Sequence, residues 1–315
     1  MYAANRTHLQ RMMMNNQAQF AMRNSLVATP QRNFAVSEKE LKIRMKTVNS
    51  IKKITKAMKM VAASKMRGDL MRLEAGKHFG HNSIDMMFKC DTFMQRKQSD
   101  VPSNPSELIV PITSDKGMCG SINSGIVRQV KGYVNDRPDR SRLSIFSVGD
   151  KGTTGLARPL PDLLKIGLSE IQTPYNYPTV MAISEHIVKN AENADKIVVF
   201  YNEFKSAIST IIREMELMPR RRFLETMKFG HLYDQKLPDK NTSNGALYEL
   251  YITSNLWVAF LENAASEQSA RMNAMENASK NAGEILDKLT LQYNQARQAR
   301  ITMELCEIIS GASAL

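Results

Sequence analysis

Residues 247–305, LYELYITSNLWVAFLENAASEQSARMNAMENASKNAGEILDKLTLQYNQARQARITMEL, decide the fold. One seam runs through them: Leu247, Leu250, Ser254, Trp257, Leu261, Ala264, Gln268, then Met272, Met275, Ser279, Ala282, Leu286, Leu289, Tyr293, Ala296, Arg300 and Met303. Steps of three and four alternate, with one extra four-residue step between Gln268 and Met272. A sustained repeat of about 3.5 residues predicts a left-handed coiled coil, and an added four-residue step unwinds it locally. Several seam positions are Ser or Ala, so a partner helix can come close. Some 70 residues of helix would exceed 100 Å, at ~1.5 Å per residue.

The partner lies at the other end of the chain. Ser37-Glu38-Lys39-Glu40 forms a capping box, with acids suited to the positive end of a helix. The helix it opens runs without a breaker through at least Met66, and Ile51, Ile54, Met58 and Val61 give it a narrow apolar seam. Gly68, Gly76 and Gly80 weaken the pattern without ending it. If helical to about Lys97, it measures roughly 90 Å. Prolines mark the same division: of 11, ten lie between Pro102 and Pro238, and the other is Pro30. Two proline-free ends therefore read as long antiparallel helices around a compact middle, since proline breaks helix interiors.

That middle reads as α/β. Strands are expected over Glu107–Thr113, Ser144–Val148 and Lys196–Tyr201, with helices over Ile122–Val134 and Val180–Asn193 between them. Such alternation predicts a small parallel sheet, and Ser206–Met218 can add an antiparallel strand. The expected parts are a leader over 1–34, a coiled-coil helix over 35–100, an α/β domain over 101–240 and a second coiled-coil helix over 241–315. The leader has no Asp or Glu but carries Arg6, Arg11, Arg23 and Arg32. Arginine-rich, acid-free N-termini read as organelle transit peptides, here cut after Phe34; the plainer alternative is a basic tail that stays attached.

Composition narrows the chemistry. The 315 residues carry 43 Lys and Arg against 31 Asp and Glu, for a formal charge of +12. No run of eighteen apolar residues exists, so no membrane-spanning helix is expected. Cys90, Cys119 and Cys306 are far apart and form no CxxC, which argues against a disulfide framework or structural zinc. Thr113–Gly120 and Gly149–Gly155 sit where phosphate loops sit, but neither completes GxxxxGK[ST] or GxGxxG, and tight turns are expected at both. His78 and His81 have no Cys, Asp or Glu at ligand spacing, and no GxSxG elbow appears. No catalytic residue, cofactor site or metal site is therefore expected. Charge points to partners instead: Glu38–Arg72 carries 11 basic and 3 acidic residues, whereas the chain from Ala246 onward carries 5 and 8. Lys52, Lys53, Lys56 and Lys59 concentrate the positive charge, which suits an acidic partner surface.

Four motifs and the chain's ending together carry a resemblance. Ile54-Thr55-Lys56-Ala57-Met58-Lys59-Met60-Val61-Ala62-Ala63-Ser64-Lys65-Met66-Arg67 resembles the N-terminal helix signature of the gamma subunits of F-type ATP synthases. Ser114-Asp115-Lys116-Gly117-Met118-Cys119-Gly120 resembles that family's loop after its first strand, with Lys116 and Met118 where Arg and Leu are usual. Ser266–Met272, Tyr293–Leu305 and the ending Glu307–Leu315 match its C-terminal helix, so the likeness covers about Leu41 to Leu315. The chloroplast form's dithiol segment is missing, and with the leader this favours a mitochondrial form.

The resemblance implies a non-catalytic rotor shaft: an antiparallel two-helix coiled coil with a Rossmann-like α/β domain at its foot. Its implied partners are the catalytic and non-catalytic subunits of the head, a small central-stalk subunit and the proton-driven membrane ring. It would be peripheral to the inner membrane on the matrix side, without cofactor or nucleic acid. Met58 matches the position facing an acidic lever loop of a catalytic subunit, and Lys59 adjoins it. Arg297 and Gln298 match a pair that hydrogen-bonds a head loop, and Ile308, Ile309 and Leu315 match an end that turns in an apolar collar. For each, a seam or solvent-facing role is the alternative. A basic coiled-coil scaffold or nucleic-acid-binding protein would also use the lysines, but Glu38–Arg72 contains no aromatic residue for stacking on bases.

Overall fold

The computed structural model describes residues 37–80, 105–226 and 240–313. Two compact units divide the chain: residues 49–284, and residues up to 48 together with 285–315. Two long helices, α1 (Glu38–Lys77) and α6 (Lys240–Ser313), contribute to both.

In the larger unit, β1 (Glu107–Pro111), β2 (Leu143–Val148), β3 (Leu164–Leu168), β4 (Lys196–Phe204) and β5 (Thr210–Leu217) form one sheet in the order β3-β2-β1-β4-β5. The first four strands are parallel and β5 runs antiparallel to β4. Four further helices pack the faces: α2 (Ile122–Asn135), α3 (Asp150–Ala157), α4 (Tyr177–Asn190) and α5 (Arg220–Thr226). Strand residues alternate between two cores, as period-two side chains must. Leu108, Val110 and Val199 face α4 and α6, whereas Ile109, Val198 and Phe200 face α2 and Leu156 of α3. Burial on both faces explains why β1, β2 and the start of β4 read as nearly continuous apolar runs.

The expected strands and helices of the middle all form, as does the antiparallel strand over part of Ser206–Met218. Three elements escaped the sequence reading: β3, α3 and α5. The tight turn expected over Gly149–Gly155 is instead the start of α3, with Gly149 at its N-cap. Gly149 has a φ of 98°, and a Cβ there would run into the Thr113 carbonyl, so only glycine fits that approach.

Ser37 caps α1 as expected, its Oγ accepting the Glu40 N–H at 3.3 Å, while Glu40 pairs with Arg44 rather than closing the box. The seam of α1 is corrected. Ile51, Ile54 and Val61 are 47%, 58% and 57% exposed, and Met58 is half-buried. The buried line in this unit runs through Thr55, Ala62, Leu73, Gly76 and Gly80, with Lys59, Met66 and Asp69 half-buried between them. Small residues there let the helix backbones close up. At Gly76 a Cβ would strike Leu261 and at Gly80 Val258. The two helices run antiparallel here: Lys59 meets Glu276 at 3.2 Å, Lys77 meets Glu262 at 2.9 Å, and Leu73 packs on Leu261 and Ala265.

Along α6 the seam is present over Met275, Ser279, Ala282, Leu286, Leu289, Tyr293 and Ala296, all buried or half-buried. Between Tyr248 and Arg271 the helix is buried on most of its circumference, because the sheet packs it as well as α1. In the smaller unit Glu38 accepts the Tyr293 hydroxyl at 3.0 Å and pairs with Arg300 at 2.6 Å. The expected seam at Met303 is not buried; that residue is exposed, since α1 offers no described residue beyond Glu38 and Ser37 to face it. Helix α1 is described as helical to Lys77 and a π turn to Gly80, and its expected continuation to Lys97 lies outside the described residues, as do residues 1–36 and Cys90.

Gly76→Val should destabilise the purified chain by about 1–3 kcal/mol, the usual cost of overpacking a tight contact. Urea unfolding of the variant beside Gly68→Val, where a Cβ meets nothing within 4 Å, separates this clash from the valine's helix preference.

Candidate functional site: loops gripped by the C-terminal helix

Two motifs whose contacting residues are 154 and 155 positions apart in the sequence meet in space. The loop after β1, Thr113–Gly120, lies against the α6 turn Ser266–Met272. Arg271, 9% exposed, donates through Nη2 to the Lys116 and Gly117 carbonyls at 3.4 and 3.3 Å, and to Glu267 Oε1 at 2.6 Å. Burial raises the Glu267 carboxyl above its ordinary range, even with the Arg271 guanidinium pulling it down; Asp69 and Asp115 push in the same direction as burial.

The same loop closes over α3. Asp115 accepts the N–H groups of Asp150 at 2.9 Å and Ile171 at 3.0 Å. Thr113 Oγ1 accepts the Gly152 N–H at 2.9 Å, and the Ser114 carbonyl accepts the Lys151 N–H at 3.2 Å. The first N–H groups of α3, which would otherwise attract an anion, are thus held by this chain's own oxygens. Asn123 completes the loop, donating to Ser114 Oγ at 2.7 Å and Cys119 Sγ at 3.2 Å. The Cys119 thiol is buried, which raises its pKa. Cys306 is exposed. Among the described residues no cluster of His, Cys, Asp or Glu could hold a metal, and no helix is long and apolar enough to cross a membrane.

The expected contact residues fall in two places. In the larger unit, Met58 is half-buried and Lys59 pairs with Glu276, whose carboxyl is held below its usual range by that lysine's hydrogen bond and charge. Lys52, Lys53 and Lys56 are exposed, so positive charge does stand on the surface of α1. In the smaller unit, Arg297 and Gln298 are exposed neighbours, and Ile308 and Ile309 are 71% and 58% exposed. Leu315 lies outside the described residues. Sequence reasoning missed Arg271, Glu267 and Asp115. An oppositely charged pair four residues apart, within the Ser266–Met272 motif, was the available signal.

Glu267 offers a test with a sign. Its folded pKa is raised, so between the unfolded value near 4.5 and the folded one the native state holds the extra proton. Stability should fall as pH rises through that window and level off above it. Glu267→Gln removes the titration, so urea midpoints of the native chain should drop relative to the variant as pH rises; parallel curves would exclude the assignment.

The family model described as ATP synthase matches residues 37–315. The mitochondrial ATP synthase gamma subunit of Dictyostelium discoideum is 34% identical over 296 residues, 92% of this chain and 96% of that one. The ATP synthase gamma chain of Pelagibacter ubique is 36% identical over 287 residues, 88% of this chain and 98% of its own. A chain of the Tetrahymena thermophila mitochondrial ATP synthase, solved with its central stalk and c-ring, superposes with a TM-score of 0.65 at 45% identity, covering 72% of this chain and 99% of that one. A rotor chain of the Euglena gracilis enzyme shares the fold, with a TM-score of 0.69 at 20% identity, over 84% of this chain and 98% of its own. None of these relatives supports the nucleic-acid reading of the lysines. Fold, motifs and relatives agree: the chain belongs to the family of ATP synthase gamma subunits, the central-stalk component of that enzyme.

Proposed function

We propose that this chain is the non-catalytic rotor shaft of a mitochondrial ATP synthase. It turns inside the catalytic and non-catalytic subunits of the head and carries motion between them and the membrane ring. One observation carries this reading. From Arg297 to Ser313 helix α6 is exposed on every side, yet it bears Ile301, Leu305, Ile308 and Ile309. Exposed apolar residues in such number call for an enclosing surface. An apolar collar fits, because apolar contact has no preferred direction and permits turning.

The geometry of the α/β domain supports a role without bond chemistry, since its glycine-rich loops spend their hydrogen bonds on Arg271, Asp115 and Thr113. Three like catalytic sites can differ only if something unlike touches each one, and a shaft with a basic first helix beside an acidic last helix supplies that asymmetry. Each site's conformational equilibrium is then biased by contacts that differ with angle. Coupling is reciprocal: nucleotide state turns the shaft, and turning it changes nucleotide affinity. Met58 faces an acidic lever loop with Lys59 adjoining it, Arg297 and Gln298 bond a head loop, and Ile308, Ile309 and Leu315 turn in the collar. The domain rests on the ring with the small stalk subunit, on the matrix side of the inner membrane, after the leader is cut behind Phe34.

Arg297→Ala with Gln298→Ala tests the head contact in the assembled complex. A charge-assisted hydrogen bond is worth about 1.5–3 kcal/mol, so ATP hydrolysis and proton pumping should fall roughly tenfold or more. Unchanged rates of both would remove the assignment.

A further inference from the structure

Helix α6 is held to the α/β domain by two kinds of contact. Ile252, Leu256 and Phe260 sink into the core over β1 and β4. Further along, the contact becomes polar although it stays buried. Asn263, Ser266 and Ser269 are 1%, 0% and 1% exposed. Asn263 Oδ1 accepts from Asn202 Nδ2 at 2.9 Å, and Ser266 Oγ donates to the Asn202 carbonyl at 3.1 Å. Ser269 Oγ and Asn273 Nδ2 both donate to the Ala207 carbonyl, at 2.7 and 2.6 Å.

Ala207 sits in the β4–β5 turn, which is itself stiffened. Lys205 and Ser206 donate their N–H groups to the Ser209 carbonyl, and the Ser209 N–H returns to Ser206 Oγ. Arg271 meanwhile takes the carbonyls of the β1 loop. Helix α6 is therefore held over three turns through two different loops.

The chemistry separates the two contacts. Apolar burial draws the helix onto the sheet, but its contacts have no fixed bond direction and hold rotation about the helix axis less sharply. Hydrogen bonds weaken steeply away from their geometry, so they resist that rotation. Buried polar side chains also forgo the gain that apolar ones would give, which leaves orientation as what they contribute.

We propose that Asn263, Ser266, Ser269 and Asn273 form a torsional key. They set the angle of α6 on the α/β domain and carry twist between the two. The proposal rests on the shaft reading above, and these are positioning residues that need touch no other subunit.

The test uses the complex assembled with this chain as its central stalk, head fixed to a surface and stalled, with a probe on the α/β domain. Angular variance of the probe reads torsional stiffness. Ser269→Ala with Asn273→Ala should widen it about twofold or more, since two directional bonds are lost. Asn273→Asp, equal in size but without the donor, should widen it as well. Leu256→Val trims apolar packing on the same helix and should lower the melting point without widening the variance. A double variant no slacker than the native chain, or Leu256→Val as slack as the double variant, overturns the key alone. A native complex that does not turn when ATP is supplied overturns the shaft reading beneath it.

Discussion

Close backbone approach between two long helices governs the larger unit. Helix α1 meets α6 through Gly76 and Gly80, positions where any larger side chain would hold the helices apart, and Ala62 is buried on the same line. At these two glycines the bulk comes from α6, which brings Leu261 and Trp257 to Gly76 and Val258 to Gly80. The ion pairs Lys59–Glu276 and Lys77–Glu262 then span a gap already set by packing. Lys59 and Glu276 are both more than a third exposed, so their pair fixes register more than it adds stability. Glu262 is 2% exposed and its pairing with Lys77 is correspondingly obligatory.

The same economy of space shapes the loops of the α/β domain. Gly149 and Gly152 let α3 start directly against Thr113, and the helix spends its free N–H groups on Thr113, Ser114 and Asp115. A loop that looks in sequence like a nucleotide cradle thus becomes an internal brace. Arg271 completes it from α6, tying the end of the sheet to the long helix with a cation that is itself nearly buried. Function follows from what this leaves outside: exposed lysines on α1 and exposed apolar residues at the end of α6, both suited to surfaces supplied by other chains.

Much of this was legible in the residues. Alternating apolar runs and proline placement gave the α/β middle and its two helical ends, because strand burial on both faces and uninterrupted helices leave strong periodic marks. Strand β3 was not legible: it is a sheet edge whose residues alternate between half-buried and exposed, with Gly167 as the fourth of its five residues. Helix α3 was hidden by its glycines, which usually mark turns. The seam of α1 was misplaced for a different reason. Ile51, Ile54, Met58 and Val61 recur at the seam's own spacing, and spacing cannot distinguish an apolar stripe meant for α6 from one left to the outside.

Periodicity, capping and composition by themselves determined which segments are helix and strand, where Ser37 starts α1, and that the ends of the chain are long helices, since these are local properties of the backbone and its side chains. The family motifs were also written in the chain, though not their contacts. Only the tertiary structure decided which stripe of α1 is buried, that Arg271 reaches the loop at Lys116 and Gly117, and that Asn202 and Ala207 are fastened to α6. Those outcomes depend on how closely two surfaces approach and on which donors face which carbonyls, and neither is a property of any one stretch of sequence.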